Sequence, residues 1–235
     1  MKNVALQNPR QEIEKAIATG DLTKLLMMTG MLHGHFCPGV ASGVKASVRA
    51  MKELNVSSTG MEEVIAIVET NNCFSDGVQF VTGCSFGNNA LIYRDYGKTA
   101  FTLTKRNGEA VRVSVKAASK FLEENSPEAA KLFQKVVVRR EGTEADQRRL
   151  KELWQHLSFK MLDILDDKLF NVNRMTIELP AYARIFADVQ CSICGESIME
   201  PRARIKDGKP VCIPCSNQEY YQLAGDGISL NRKED

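Results

Sequence analysis

Four of the seven cysteines stand as two pairs, Cys191-Ser-Ile-Cys194 and Cys212-Ile-Pro-Cys215, with 17 residues between them. That spacing is a four-cysteine zinc pattern, and nothing else in the chain limits its folding so tightly. Four thiolates saturate a tetrahedral ion, so the site is structural. A segment this short has no core of its own, so the metal supplies much of its folding free energy. Between the pairs, Arg202 to Val211 reads as a hairpin turning at Asp207-Gly208. The second pair is expected to open a helix through Ser216–Leu223. Knuckle, hairpin and helix predict a treble-clef zinc finger. Its Arg202, Arg204, Lys206 and Lys209 suit either a solvated hairpin or contact with an acidic partner or RNA.

A shift in composition near Asp188 divides the chain into an N-terminal domain, 1–187, and a zinc-finger domain, 188–235, whose tail from Gly225 is polar and expected to fray. The larger domain has its own concentration of chemistry. Met31-Leu-His-Gly-His-Phe-Cys-Pro-Gly39 holds two of the three histidines and a cysteine. Imidazole and thiolate bind borderline-soft metals such as zinc or iron. Residues two apart in a loop share a face, which puts His33 and His35 together. Pro38 begins a helix whose apolar positions run Val40, Val44, Val48 and Met51. Cys37 therefore precedes a helix N-terminus, where a thiol is activated as a ligand or a nucleophile. An inert buried cysteine and a structural histidine pair are the plain alternative.

The rest of the domain alternates helix and strand. Gln11–Ala18 and Leu22–Met31 read as short helices, the second capped by Asp21. Glu63–Thr70 reads as a buried strand, and Cys73–Thr82 as a helix after it. Cys73 then lies at the carboxyl end of a strand, where open sheets bind ligands. A glycine-rich loop carries Cys84. Strands follow at Leu91–Tyr93, Thr99–Thr104 and Ala110–Val115, the last two joined at Asn107-Gly108. Helices are expected over Ala117–Asn125 and Pro127–Gln134. Another runs over Asp146–Leu165 with a core stripe of Leu150, Leu153, Leu157, Met161 and Leu165. Met175–Leu179 is a candidate edge strand. His156 reads as a surface histidine.

A net charge of +2 gives no general affinity for nucleic acid. No apolar run approaches the ~18 residues of a membrane span, and the first ten residues lack the apolar stretch of a signal peptide. Reduced thiols in a cytoplasm are the expectation.

Four motifs together carry a family likeness: His33-Gly-His-x-Cys-Pro-Gly39, Glu69-Thr-Asn-Asn-Cys-x-x-Asp-Gly77, Gln79-x-x-Thr-Gly-Cys-Ser-x-Gly-Asn88 and Asp95-x-Gly-Lys98. They resemble the FmdE family, which takes its name from formylmethanofuran dehydrogenase. The resemblance implies an α+β domain, a mixed β-sheet flanked by helices with a thioredoxin-like core, to which many members append a zinc domain. It also implies a metal site built from the His/Cys loop and an anaerobic one-carbon setting beside a molybdenum or tungsten oxidoreductase.

Three functions follow. In the first, an open metal site draws ligands from His33, His35, Cys37 and Cys73, with Cys84 nearby, and Asp76 acts as general base or orients a ligating histidine. In the second, the protein carries a metal, a pterin or a tetrapyrrole such as haem for a partner oxidoreductase, with Phe36, Phe74 and Phe86 near the ligands. In the third, Cys37 does thiol redox chemistry with Cys73 or Cys84 as its resolving partner. A homodimer is the expected assembly.

Overall fold

The computed structural model describes residues 8–116 and 118–231, with backbone alone at 118 and 119. The N-terminal stretch read for a signal peptide lies largely outside these residues, as do the last four residues of the tail. The chain forms two compact units, divided between Pro180 and Ala181.

In the first unit, α1 (Gln11–Thr19) and α2 (Leu22–His33) lead to the His/Cys loop. Asp21 caps α2 by accepting the Lys24 N–H at 2.9 Å, and Gly34 ends it at φ 85°, a left-handed position that glycine takes without strain. Pro38 opens α3 (Pro38–Leu54), where its missing N–H costs nothing. Next come β1 (Val64–Val68), α4 (Cys73–Thr82), β2 (Leu91–Tyr93), β3 (Ala100–Lys105) and β4 (Glu109–Val115). The helices α5 (Ala118–Asn125), α6 (Pro127–Phe133), α7 (Glu144–Leu162) and α8 (Asp166–Leu169) precede β5 (Phe170–Thr176).

The strands form one mixed sheet in the order β2-β1-β3-β4-β5. Among the described residues only β1 and β2 pair in parallel, as a strand–helix–strand crossover through α4 requires. Ala66 sits opposite Leu103, and Leu103 opposite Val111. The register thus gathers Val64, Ala66, Val68, Phe101, Leu103, Val111 and Val113 into the core that α3 and α4 complete with Val40, Val44, Met51, Phe74 and Val78. This is the mixed sheet flanked by helices that the motifs implied.

The two helices that carry the cysteines touch backbone to backbone. A Cβ on Gly43 would fall 2.1 Å from the Phe74 carbonyl oxygen, and one on Gly77 would fall 2.6 Å from the Val44 nitrogen. No side chain fits in that crossing.

Some boundaries differ from the periodicity. A π-helical turn, Gln134–Val138, continues α6. Helix α7 stops at Leu162, leaving Leu165 beyond it and 64% exposed. Of the expected edge strand Met175–Leu179 only Met175 and Thr176 are strand, as the end of an edge strand that starts at Phe170. Among the described residues, no helix is long and apolar enough to cross a membrane.

The second unit is built of two-stranded ribbons joined by short helical turns. β6 (Asp188–Gln190) and β7 (Ser197–Met199) flank the first cysteine pair. β8 (Arg204–Lys206) and β9 (Lys209–Val211) form the predicted hairpin, with Asp207 and Gly208 at φ 50° and 73°, the pattern of a type I′ turn. The expected Ser216–Leu223 helix is absent. Instead α9 covers Ile213–Ser216, Asn217 turns left-handed at φ 56°, and Tyr220–Ala224 becomes β10, paired with β11 (Gly227–Asn231). The tail up to Asn231 is therefore strand, not frayed coil.

Candidate metal centres

Three elements converge on the first site. His33 is the last residue of α2, Cys37 is the N-cap of α3, and Cys73 is the first residue of α4, with His35 in the loop between. One ligating atom from each of His33, His35, Cys37 and Cys73 lies within 4.8 Å of every other. Cys37 Sγ accepts the Val40 N–H at 3.5 Å, so the start of α3 holds the sulfur in place. The α3–α4 crossing then sets the position of Cys73 beside it.

Asp76 stands one turn after Cys73 and faces the same way. Its Oδ2 lies 2.7 Å from His33 Nδ1, and its Oδ1 accepts the Gln79 amide at 3.1 Å. A carboxylate at Nδ1 places the proton there and frees Nε2 for a ligand role. Nε2 lies 3.7 Å from Cys37 Sγ, close to the separation of about 3.6 Å that tetrahedral zinc imposes between nitrogen and sulfur. The donor set fits a thiophilic ion.

His35 is held differently. Its ring lies 4.3 Å from that of His33 and stacks on Trp154 at 5.8 Å and 25°. Burial first, then His33 and Lys151, keep its pKa below the usual imidazole value. The neutral ring is the coordinating form.

The two thiols share a proton. The hydrogen bond from Cys37 holds Cys73 down at about 6, helped by His33. The same bond, with burial, pushes Cys37 well above the ordinary thiol range. Metal binding at neutral pH must therefore displace a proton from Cys37.

Cys84 is not brought to this cluster. Helix α4 is 10 residues long, about 15 Å at 1.5 Å per residue, and Cys84 follows its far end. Its Sγ donates to the Val64 carbonyl at 3.6 Å, and burial pushes its pKa up to about 11. Phe74 packs in the core against Phe101, Phe36 meets Phe159, and Phe86 is exposed. His156 is exposed as well.

Sequence reasoning missed what adjoins the cluster. A cavity of about 240 Å³ runs from Cys37 and Cys73 between Phe121, Phe133, Trp154 and Phe170. The stripe on α7 was legible through its leucines, and the chain's single tryptophan was the overlooked signal.

In the second unit, the sulfurs of Cys191, Cys194, Cys212 and Cys215 also lie within 4.8 Å of one another. Cys194 and Cys212 Sγ are 3.9 Å apart, near the roughly 3.8 Å of a zinc tetrathiolate. The Cys212 N–H donates to Cys191 Sγ at 3.3 Å and the Cys215 N–H to Cys212 Sγ at 3.4 Å. Such amide bonds stabilise thiolates, and Cys191 is held down at about 6, chiefly by backbone N–H groups.

Residues 32–171, more than half of the chain, match the sequence model described as "FmdE, Molybdenum formylmethanofuran dehydrogenase operon". The chain belongs to the FmdE family. Residues 184–221 match the prokaryotic dksA/traR C4-type zinc finger, which makes the second cluster a structural zinc site on an FmdE-family chain. A curated relative from Archaeoglobus fulgidus, a "Probable S-adenosyl-L-methionine-binding protein", is 44% identical over 222 residues. The match covers 92% of this chain and 58% of the relative, so the chain spans little more than half of that protein. A crystal structure of a tungsten formylmethanofuran dehydrogenase FmdE-like protein from Syntrophus aciditrophicus superposes with a TM-score of 0.54. It is 22% identical, over 83% of this chain and 91% of the other. That likeness is one of fold.

Proposed function

We propose that the FmdE domain holds one thiophilic metal ion, zinc or iron, through His33, His35, Cys37 and Cys73, and that the chain is a metal-handling accessory to an oxidoreductase of one-carbon metabolism. One observation carries the metal reading: four soft donors from three elements gather within 4.8 Å, while Asp76 already orients one of them. Asp76 is then a positioning residue rather than a free base, since His33 and Gln79 occupy its two oxygens. Cys37 and Cys73 supply the negative charge that retains the ion. His35, for which ring contacts are the side-chain contacts found among the described residues, is the ligand that yields to an incoming group. The ion, when bound, supplies Lewis acidity. The oxidoreductase partner is supported by the family's description and by the name of the Syntrophus protein, both of which contain formylmethanofuran dehydrogenase.

Elemental analysis of the purified full chain tests this. Two metal ions per chain are expected, one in each unit, falling to one in Cys37→Ser. A single zinc, unchanged by that substitution, would sink the reading.

The Archaeoglobus relative motivates a second reading, S-adenosylmethionine binding by this chain. It ranks lower because, among the described residues, no acidic side chain lines the cavity to hold a ribose or an ammonium group. Equilibrium dialysis against labelled S-adenosylmethionine decides it. At about 240 Å³ the cavity is also below the ~300–1,000 Å³ of typical cofactor sites, so the carrier alternative narrows from haem to a metal ion.

A further inference from the structure

We infer that the cavity beside the His/Cys cluster binds a compact, largely apolar thiol. The inference rests on the metal reading above and names what that site takes.

The cavity's shape and lining select the body of the ligand. Its volume of about 240 Å³ exceeds the ~150 Å³ that accepts a benzene ring in a dry protein cavity, leaving space for one ring and a short arm. Phe121, Phe133, Trp154 and Phe170 form its walls, and no Asp or Glu among the described residues lines it. Ser42, Asn72, Thr99 and Lys116 add a few polar groups to the lining, and with no acidic residue among them a cationic body would lose its water here without gaining an opposite charge. An aromatic or branched aliphatic body loses nothing and buries its whole surface.

The cysteines in the lining select the functional group. Cys37 and Cys73 both line the cavity, so a ligand in it can meet the sulfur side of the donor cluster. Soft ions prefer soft donors. An amine would enter charged and lose its hydration with no acidic side chain to meet it, whereas a thiol enters neutral. With an ion held by His33, His35, Cys37 and Cys73, the thiol would lose its S–H proton to solvent, and its sulfur, keeping the electron pair, would serve as a further soft donor. No oxidant or reductant is consumed.

Trp154 joins the cavity to the donor cluster. It lines the cavity and stacks on His35. Its buried indole N–H has no hydrogen-bond partner among the described residues. An unpaired buried donor costs stability, and an acceptor brought within reach of the indole N–H would relieve it. A sulfur or an aromatic face suffices.

The chain's single tryptophan reports binding. The zinc-loaded full chain is titrated with benzyl mercaptan, toluene and 2-mercaptoethanol while Trp154 fluorescence is followed and bound zinc counted. Benzyl mercaptan is expected to half-saturate the change at a concentration at least about tenfold below either of the others, because each lacks one half of the recognised molecule. Leu122→Phe narrows the cavity and should raise that concentration at least about tenfold with zinc still at two per chain. Toluene as effective as benzyl mercaptan would remove the thiol from the proposal and overturn it. Equal binding of 2-mercaptoethanol would overturn the role of the cavity, as would an unaffected Leu122→Phe variant. No fluorescence response with two zinc ions bound overturns the inference and leaves the metal reading standing. One zinc per chain overturns both.

Discussion

Cys73 and Cys84 bracket one helix, yet their surroundings drive their thiols in opposite directions, to about 6 and about 11. In metal-free protein, iodoacetamide should therefore alkylate Cys73 at neutral pH and leave Cys84 almost untouched. The sign is set by the thiolate. Cys73 is charged above about pH 6, so labelling falls as pH drops through that value, and metal affinity falls with it because protons compete for the sulfur. Peptide mapping after a pH series checks this, and equal labelling of both cysteines would refute it. Asp76 is the other single residue on which the site leans. Asp76→Asn keeps the size and removes the charge behind His33. It should weaken metal binding by about 10- to 100-fold in competition with a chelator while the far-UV circular dichroism stays unchanged. The pairing of Asp76 with a ligating histidine was among the readings of the motif residues. Which cysteine would be excluded was not, because a motif is linear and the length of α4 carries Cys84 away.

Helices α3 and α4 act as one piece, and the glycines at their crossing make it so. Gly77→Ala would drive a methyl group to 2.6 Å from the Val44 nitrogen. Overpacking against side chains costs about 1–3 kcal/mol, and backbone yields less readily, so a loss of about 3 kcal/mol or more is expected in a denaturant titration. Because those helices begin with Cys37 and Cys73, the variant should also lose the first metal. Retention of both stability and two metals would show that the crossing is slack. Regular elements were mostly legible. β1, α4 and the Asp207-Gly208 hairpin follow from apolar runs, caps and turn residues. The failures have local causes. Asn217 adopts a left-handed backbone that ends α9 after one turn, and the freed Tyr220–Ala224 pairs with a segment that looked like tail. Leu165 keeps the helical spacing of its stripe, but α7 ends at Leu162, and Asp163 is its C-cap.

At the scale of the whole molecule the two clusters differ in how far apart in the chain their ligands lie. The finger's cysteines come from residues 191–215, a segment whose buried core is Cys191, Val211 and Cys212. The FmdE cluster joins residues 33–37 to Cys73 across α3 and β1, beside an extensive apolar core drawn from α1 to α4 and the sheet. Zinc should therefore be a mould for the second unit and a latch for the first. On refolding from denaturant, the first unit should recover its Trp154 signal at the same rate with zinc or with chelator, and zinc should slow only its unfolding. Ribbon formation in the second unit should not occur in chelator at all. A zinc-accelerated Trp154 phase would contradict this picture. The asymmetry bears on supply: a scarce ion would be taken first by the unit that cannot exist without it, leaving the FmdE cluster as a folded, vacant receiver whose occupancy follows the metal concentration around it.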